Sequence, residues 1–567
     1  MLRQAIATLA LLTLAGCTGI PNEGPVEVGG GEAIPDPRVF PVQPPGPGDE
    51  PVDIVEGFVE AMPAGVAGDF GSARDYLTPE ARADWDPAVR VTIYGSAAFE
   101  PLWDEEAATV TYVLPVVAFV DEHGILTEAE PGTRSSVVFT VANEVGEWRI
   151  SDLDDGLVIS DANFSVLYRE VELAWATQDL SVIVPDVRWF PDHNVATRAA
   201  EELVAGPAPW LADAVATGLT PIAELGVASV PVEDGVASVS LDAASVTTPA
   251  NRSLALSQFT RTLAGLPDVL SVDVTVGGLP IGGDGSVTLA PPPVRSGRAV
   301  ALVSGRLGSW DGVGFQMPAS GDDGLPVTAN SPAISYDGLR TAFLVGTSEL
   351  VTAPALSDAL TPLTGGIATS SAEITPVFSG ARLVEPSFDR HGWLWSGEVG
   401  NAGSLVAIGP GGPLEVPVPW LAGREVAEAR VSADGARIAI LSREGGVWLL
   451  SVAGLVRTDD GVPVSIGEPI DIGVGIGAPG DLVWVDDTQL AVLSIGAKDA
   501  VPSLVLVTVG GRTTMFSTVP GAVSIAARLG TGSLAIVTGD GGLYVRSNTT
   551  WARVGGGFPV TGLAFAG

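Results

Sequence analysis

The sequence predicts a multidomain protein in which two α+β domains are followed by an all-β propeller of five or six blades. Residues 51–162 and 163–292 each combine amphipathic helical segments with alternating strand segments, which is the α+β pattern. Residues 297–567 consist almost entirely of short strand segments, and a fragment built around an aspartate turn recurs there at regular spacing.

The bulk composition excludes several classes of function. The chain has 567 residues, enough for several hydrophobic cores, and 46% of them are hydrophobic. We find no run of 18 or more apolar residues, so no part of the body is predicted to span a bilayer. The formal net charge of -39 repels phosphate groups. We therefore expect no nucleic-acid partner and no electrostatic attraction to anionic lipids.

Cysteine and histidine usage argues against a metal or disulfide framework. Cys17 is the only cysteine, so the chain can form neither an intramolecular disulfide nor a cysteine cluster. The three histidines, His123, His193 and His391, lie far apart, and none belongs to a ligand motif. The acidic stretch 152–156 fails the spacing of a calcium loop, and we interpret it as a solvated turn. We expect no metal and no cofactor.

Residues 1–16 are predicted to be a signal peptide. Arg3 precedes an apolar segment, residues 5–15, that is too short to cross a bilayer as a helix. The segment ends in Leu-Ala-Gly-Cys17, which resembles the bacterial lipobox. In a lipobox the cysteine thiol receives diacylglycerol, and the peptidase cuts before the cysteine. An ordinary signal peptide with a chance cysteine is the alternative. We predict Cys17 as the attachment point of an S-diacylglycerol and an N-acyl group, at the extracytoplasmic face of the cell membrane.

Residues 17–50 are predicted to be a lipidated tether. Proline and glycine dominate them without a period, so they cannot bury a core. An extended stretch of this length reaches on the order of 100 Å.

The first α+β domain, residues 51–162, begins with helical periodicity and continues with strands. We predict a helix over Asp53–Met62 and a short helix near Ala73–Trp85, where Thr78-Pro79-Glu80 is a start signal. The predicted strands are 108–120, 135–141 and 147–153. The order is similar to that of the cone-shaped NTF2-like fold, which is a fold-level analogy.

The second α+β domain, residues 163–292, carries two predicted helices. They are Val195–Ala205, which ends at Gly206-Pro207, and Asn251–Leu263. A hairpin is predicted around the turn 233–235, since an Asp-Gly pair there separates alternating apolar residues. The predicted strands are 181–190, 227–232, 236–241 and 270–276.

The propeller prediction depends on a repeat. Asp337, Asp389, Asp434 and Asp486 occupy equivalent places and are spaced 52, 45 and 52 residues apart, a period typical of four-stranded blades. The segment 560–565 is predicted to add a strand that closes the ring. A β-sandwich with similar hairpins is the alternative.

No catalytic residues are predicted, and we expect that the protein is not an enzyme. The sequence contains no nucleophile-elbow motif, and no motif places a histidine in a triad. Trp393, Trp395 and Trp484 fall on predicted propeller strands. They could form an aromatic binding face, but we favour packing between blades.

Three further stretches carry a family resemblance: 146–158 (GEWRISDLDDGLV), 182–191 (VIVPDVRWFP) and 199–207 (AAEELVAGP). With the lipobox at Cys17, they make the chain resemble the LpqB family of actinobacterial lipoproteins, in which a GerMN domain precedes a propeller. The resemblance implies an accessory role beside the MtrA–MtrB two-component system. It also implies contact with the extracellular part of the sensor histidine kinase, in cell-wall homeostasis and division. Of the family's functional residues, only Cys17 is carried over.

Two other functions stay open. One is a cell-wall glycan-binding or glycan-hydrolysing lipoprotein, which would need two propeller carboxylates about 5 to 10 Å apart in a deep cleft. The other is a passive scaffold. The sequence does not indicate which domain meets a partner.

Overall fold

The computed structural model describes residues 42–96, 100–295, 297–316, 325–326, 328–354, 374–400, 403–495, 501–554 and 558–567. All of them belong to one compact unit, residues 42–567. The predicted signal peptide, Cys17 and most of the tether lie outside the described residues. Within these ranges no helix is long and apolar enough to cross a membrane.

The first region packs three helices against a seven-stranded sheet. The helices are α1 (Pro51–Gly65), α2 (Gly71–Arg74) and α3 (Pro79–Asp84), and the strands are β1 (Arg90–Tyr94), β2 (Leu102–Asp104), β3 (Thr109–Asp121), β4 (Leu126–Glu128), β5 (Arg134–Glu144), β6 (Glu147–Leu153) and β7 (Leu157–Ser160). The order is β6-β5-β3-β1-β7, and β2 and β4 pair with β3. The NTF2-like assignment of this region stays a prediction.

The predicted helix start at Thr78 is confirmed. The prediction of one helix near 73–85 is wrong, because the structure has two separate helices there, α2 and α3. The Thr78 hydroxyl accepts a hydrogen bond from the Ala81 amide at 3.3 Å, as a helix cap does. Just before it, the Thr78 amide donates to the Ile150 carbonyl at 2.8 Å, and the Ile150 amide donates to the Tyr76 carbonyl at 2.9 Å. Because these groups pair with β6, the chain leaves the helix between α2 and α3.

The second region is built from two small sheets and three helices. The helices are α4 (Asp161–Leu167), α5 (Val195–Ala205) and α6 (Pro249–Leu263), and the strands are β8 (Tyr168–Thr177), β9 (Ile183–Pro191), β10 (Val215–Ala216), β11 (Val232–Glu233), β12 (Val236–Leu241), β13 (Ser271–Val276) and β14 (Leu279–Pro280). β8 and β9 form a long antiparallel ladder, and β12 and β13, joined through α6, run parallel. Both predicted helices are confirmed.

Two strand predictions in this region need correction. The predicted strand 227–232 is reduced to β11, whose two residues pair with the start of β12. Strand β8 was not predicted, although it is the partner of β9 over nine residue pairs.

The third region consists of consecutive antiparallel sheets, six of which lie within the described residues. The first sheet contains β15 (Ala299–Val303), β16 (Arg306–Trp310), β17 (Phe315–Gln316) and the last strand of the chain, β39 (Val560–Ala564); the second contains β18 (Ala329–Ile334), β19 (Arg340–Val345), β20 (Glu349–Pro354) and β21 (Thr375–Ser379). The third sheet contains β22 (Ser387–Phe388), β23 (Leu394–Ser396), β24 (Ser404–Gly409) and β25 (Gly412–Pro417); the fourth contains β26 (Glu425–Val431), β27 (Arg437–Glu444), β28 (Val447–Arg457), β29 (Pro463–Ile466) and β30 (Ile470–Ile472). The fifth sheet contains β31 (Pro479–Trp484), β32 (Gln489–Ser494), β33 (Ser503–Thr508) and β34 (Thr513–Ser517); the sixth contains β35 (Ala522–Ala526), β36 (Ala535–Thr538), β37 (Leu543–Ser547) and β38 (Thr550–Val554).

The ring is closed by the strand that the sequence predicts. β39 pairs antiparallel with β15 and becomes the inner strand of the first sheet. The inner strands β18, β22, β26, β31, β35 and β39 each contact the next around a circle, and β39 returns to β18. A channel therefore runs between them.

The repeated aspartates share one local structure. Each lies in the turn between the first two strands of its sheet, and its Oδ1 accepts the amide hydrogen of the residue two positions later, at 2.8 to 3.0 Å. This arrangement stabilises a tight turn. It gives the physical reason for the aspartate at 337, 389, 434 and 486.

Candidate functional site

The histidines that the sequence analysis weighed do not form a catalytic group. His193 lies in a 3₁₀ turn before α5, and His391 lies in the turn between β22 and β23. His123 Nδ1 lies 3.2 Å from Glu202 Oε2. Within the described residues, none of the three hydrogen-bonds a serine hydroxyl. Cys17, the one predicted site residue, lies outside them.

Two of the three tryptophans pack between blades, as we favoured. Trp395 and Trp484 are fully buried. Their indole N–H groups donate to Asp389 Oδ2 at 2.8 Å and to the Arg430 carbonyl at 2.9 Å. Trp393 is half-buried and lies against Gly409.

A cluster of charged side chains lies in the propeller channel. Glu385 lies two residues before β22, the inner strand of the third sheet, Glu428 and Arg430 lie on β26, and Asp481 lies on β31. One oxygen from each of the three carboxylates lies within 4.8 Å of the other two. The Arg430 Nη2 atom is 2.7 Å from Glu428 Oε2, 3.5 Å from Glu385 Oε2 and 3.6 Å from Asp481 Oδ1.

Hydrogen bonds, most of them to main-chain groups, fix two members of this cluster. Arg430 donates through Nε to the Leu482 carbonyl at 3.1 Å and through Nη1 to the Glu385 carbonyl at 3.2 Å. Asp481 Oδ2 accepts from the Ser524 hydroxyl and the Ile525 amide, both at 2.8 Å, and its Oδ1 accepts from the Leu482 amide. Neither side chain can turn without losing these bonds.

The two glutamates are less constrained. Glu428 is 5% exposed, and its Oε2 has no hydrogen-bond partner, because the nearby Arg430 N–H groups do not point at it. The Glu385 side chain is 37% exposed. Glu385 is therefore the carboxylate most open to the channel.

Burial dominates the electrostatics of the cluster. It raises the pKa of Glu428 well above its usual value, and Arg430 opposes the rise. Burial and the neighbouring Asp481 raise the pKa of Glu385, and burial raises the pKa of Asp481. Three acids that each resist ionisation share a single guanidinium.

Three members of the cluster, Glu385, Arg430 and Asp481, line a cavity of about 280 Å³. Glu385 and Asp481 lie where inner strands begin, and Arg295 lies where inner strands end. Arg295 Nη1 donates to the Trp484 carbonyl at 2.6 Å and to the Ala527 carbonyl at 3.2 Å. The cavity thus has an acidic part and a basic part.

The cluster was missed from sequence, although the repeat contained a signal for it. Glu385 stands four residues before Asp389, Arg430 four before Asp434, and Asp481 five before Asp486. These near-equivalent positions in adjacent blades all face the axis. A charged residue there, on an otherwise apolar inner strand, marks the channel.

The second region is fixed to the same propeller. Arg390 pairs with Asp179 at 2.6 Å and donates to the Asp434 carbonyl at 2.7 Å. The indole of Trp189 donates to the Gly510 carbonyl at 3.1 Å. Arg390 and Asp434 lie in turns after inner strands, and Gly510 lies in the turn between β33 and β34.

The first region also contacts the propeller and the second region. Glu128 Oε1 accepts from the Thr513 amide at 2.8 Å. Arg188, which is 2% exposed, pairs with Asp186 at 2.8 Å and donates to the His123 carbonyl at 2.8 Å. Residues of all three regions therefore meet around the fourth and fifth sheets of the propeller.

Comparisons with known protein families account for most of the chain. The lipoprotein LpqB N-terminal domain matches residues 44–165, the sporulation and spore germination domain matches 172–282, and the lipoprotein LpqB beta-propeller domain matches 318–560.

Similar proteins named lipoprotein LpqB occur in several bacteria. The Cutibacterium acnes protein is 28% identical and covers 97% of both chains, and the Thermobifida fusca protein is 28% identical and covers 91% of both. The Bifidobacterium longum protein is 34% identical over 36% of this chain and 38% of its own.

Solved structures match with low scores. TolB from Acinetobacter baumannii has 16% identity, covers 37% of this chain and 47% of its own, and has a TM-score of 0.26. The tandem GerMN domains of GerM from Bacillus subtilis have 20% identity, cover 26% of this chain and 57% of their own, and have a TM-score of 0.18.

Proposed function

Because the chain belongs to the LpqB family of lipoproteins, we propose that it is a lipid-anchored binding protein that modulates a sensor histidine kinase. Lipid on Cys17 holds it at the extracytoplasmic face of the cell membrane. Its partner is the extracellular part of the kinase, and the signal it tunes concerns cell-wall homeostasis and division.

The observation that carries the binding role is the fixed junction of the three regions. Arg512 Nη1 lies 2.6 Å from Asp161 Oδ1, Glu128 contacts the adjacent Thr513, and Arg390 adds a contact at another turn of the propeller. Elements from distant parts of the chain are thereby held in fixed positions relative to one another. Such preorganisation supports the recognition of a protein partner.

The channel carboxylates do not favour the glycan-hydrolysing alternative. Catalysis by two carboxylates needs one free acid and one free base or nucleophile at the substrate. Both oxygens of Asp481 accept hydrogen bonds, and Glu428 is almost fully buried beside Arg430. Only Glu385 is open to the cavity.

Two measurements test this proposal. The full-length protein in detergent should co-purify with the kinase ectodomain, and absence of binding at tens of micromolar would contradict the regulator role. Cys17→Ser should lose the membrane fraction yet still bind the ectodomain in solution, since it removes only the anchor. A Cys17→Ser protein that stays fully with membranes would exclude the lipid anchor.

A further inference from the structure

A second cavity, which we call the junction cavity, lies where the three regions of the chain meet. Its volume is about 220 Å³. One wall is β4 of the first region, another is formed by Val187 and Trp210 of the second region, and the remaining walls belong to the fourth and fifth sheets of the propeller. Its rim is open to solvent, because Thr127, Glu130 and Val447 are exposed.

The interior of the junction cavity is mostly apolar. It is lined by the half-buried tryptophans Trp210 and Trp448 and by the isoleucines Ile125, Ile470, Ile472 and Ile476. Small-ligand sites begin at about 300 Å³, so a volume of about 220 Å³ suits one or two apolar side chains better than a whole small molecule.

A strand edge without a partner borders this cavity. β28 begins at Val447, but its outer neighbour β30 ends at Ile472, which lies opposite Leu450. After Ile472 the chain leaves the ladder at Gly473, whose φ is +74°. The outer edge of residues 447–449 is therefore not paired with any described strand, and all three of these residues line the cavity.

The ladder between β27 and β28 determines which main-chain groups this edge presents. Gly445 and Gly446, both with positive φ, form the two-residue turn that joins the strands. Such a turn closes with a hydrogen-bonded pair, here Glu444 and Val447, and bonded and non-bonded pairs alternate along the ladder. The amide and carbonyl of Trp448 therefore point away from β27, to the outer side. Main-chain groups on such an open edge are a template for an added strand.

The charged side chains that line the junction cavity are all acidic: Glu128, Glu130, Asp186 and Asp471. Asp186 is paired with Arg188, but the other three form no ion pair with a described residue. Negative charge around an apolar cavity favours a ligand that carries positive charge next to its apolar part.

We propose that the junction cavity binds an extended segment of another protein in which apolar residues are flanked by basic ones. The segment adds a strand to the outer edge of residues 447–449 and places its apolar side chains in the cavity. Its basic side chains lie near Glu128, Glu130 and Asp471. The strand edge selects a polypeptide, because neither a glycan nor an acyl chain has a regular row of amide and carbonyl groups. The inference goes beyond the kinase interaction, since it assigns a site and a class of ligand and does not require that the segment belong to the kinase.

Calorimetric titration of the mature chain tests the assignment. The probe is the peptide Arg-Val-Ile-Val-Arg, acetylated and amidated at its ends. Two matched peptides accompany it: the same sequence with alternate main-chain amides N-methylated, and Glu-Val-Ile-Val-Glu. The basic peptide should bind. The methylated peptide should bind at least about tenfold more weakly because it cannot pair with a strand edge, and the acidic peptide should weaken as much through charge repulsion.

Two variants at the exposed rim locate the site without disturbing the core. Thr127→Arg places a cation at the rim and should weaken binding of the basic peptide at least about tenfold, which corresponds to about 1.4 kcal/mol. Glu130→Gln removes one negative charge and should weaken it several-fold. The matched controls are Thr375→Arg on β21 and Glu415→Gln on the outer strand β25, both at exposed positions away from the cavity, and they should leave the affinity unchanged.

Four results would overturn the assignment. The first is no binding of the basic peptide at millimolar concentration. The second is equal binding of the N-methylated peptide, which would exclude strand pairing. The third is an unchanged affinity in Thr127→Arg, or an equal loss in Thr375→Arg, which would place binding elsewhere. The fourth is binding of chitotetraose or dodecanoate in place of the peptide, which would indicate a glycan or acyl-chain site. Because kinase binding is measured separately on the same protein, failure of one proposal leaves the other standing.

Discussion

The guanidinium of Arg437 donates to the main-chain carbonyl of Pro185 at 3.2 Å, so one side chain joins the propeller to the region before it. The same guanidinium pairs with Asp434 at 2.5 Å, and both side chains are buried. Its Nη2 also donates to the Asp487 carbonyl in the next blade. Arg437 is thus shared by two blades and the second region.

Replacing Arg437 with methionine should destabilise the protein by about 3–5 kcal/mol, because Asp434 would keep a buried charge without a partner. Denaturant unfolding measures the change. Arg382→Met breaks an exposed pair with Glu425 and should cost at most about 1 kcal/mol. Equal losses in the two variants would contradict the role given to Arg437.

The repeated aspartates should differ in their contribution to stability. Asp389 also accepts from the Trp395 indole at 2.8 Å and pairs with Arg457 at 2.5 Å, both in the core. Asp337 accepts hydrogen bonds only from residues of its own exposed turn. Asp389→Ala should therefore cost about 3–5 kcal/mol and Asp337→Ala about 1 kcal/mol in unfolding experiments. Similar values would mean that the turn, not the core pair, dominates at both positions.

Gly510 tests the junction between the second region and the propeller. Its φ is +77°, and a Cβ there would lie 2.6 Å from the Val187 carbonyl oxygen. Gly521 has a φ of +76° and open space around it. Gly521→Ala should cost about 1–2 kcal/mol from backbone strain alone. Gly510→Ala should cost about 1–3 kcal/mol more, from the clash, and should speed proteolysis at the junction. Identical effects would argue against a tight contact.

The channel cluster should make stability depend on pH. Burial raises the pKa of Glu428 in the fold, where it faces Arg430, Glu385 and Asp481. As pH rises above about 4.5, the unfolded chain releases this proton before the folded chain does, so stability falls. Between about pH 5 and pH 8, the melting temperature of Glu428→Gln should fall less than that of the unmodified protein. Glu415→Gln should keep the original slope, and a steeper slope in Glu428→Gln would contradict the assignment.

Features that depend on neighbours in sequence could be predicted. The aspartate turns, the cap at Thr78 and the helices α5 and α6 are each determined by a few consecutive residues. Strand β8 was missed because it starts with alternating charges, Glu170 and Glu172, and then becomes continuously apolar, so no single period describes it.

The channel cluster could not be assembled from sequence alone. Glu385, Glu428 and Asp481 lie on separate blades, and only the packing of these blades side by side brings their oxygens within 4.8 Å. Their distances depend on the number and order of the inner strands, which the repeat spacing left open at five or six blades. The repeat could show where channel residues lie along each blade, but not which of them meet.

The pairing of β39 with β15 also constrains the order in which the propeller can be completed. β15 emerges about 260 residues before its partner, and until β39 arrives its edge has exposed amide and carbonyl groups. This edge therefore stays open to pairing with other strands until residues 560–564 reach it. Pairing over such a distance is slow, so the unfinished ring is the stage of folding that is most exposed to aggregation.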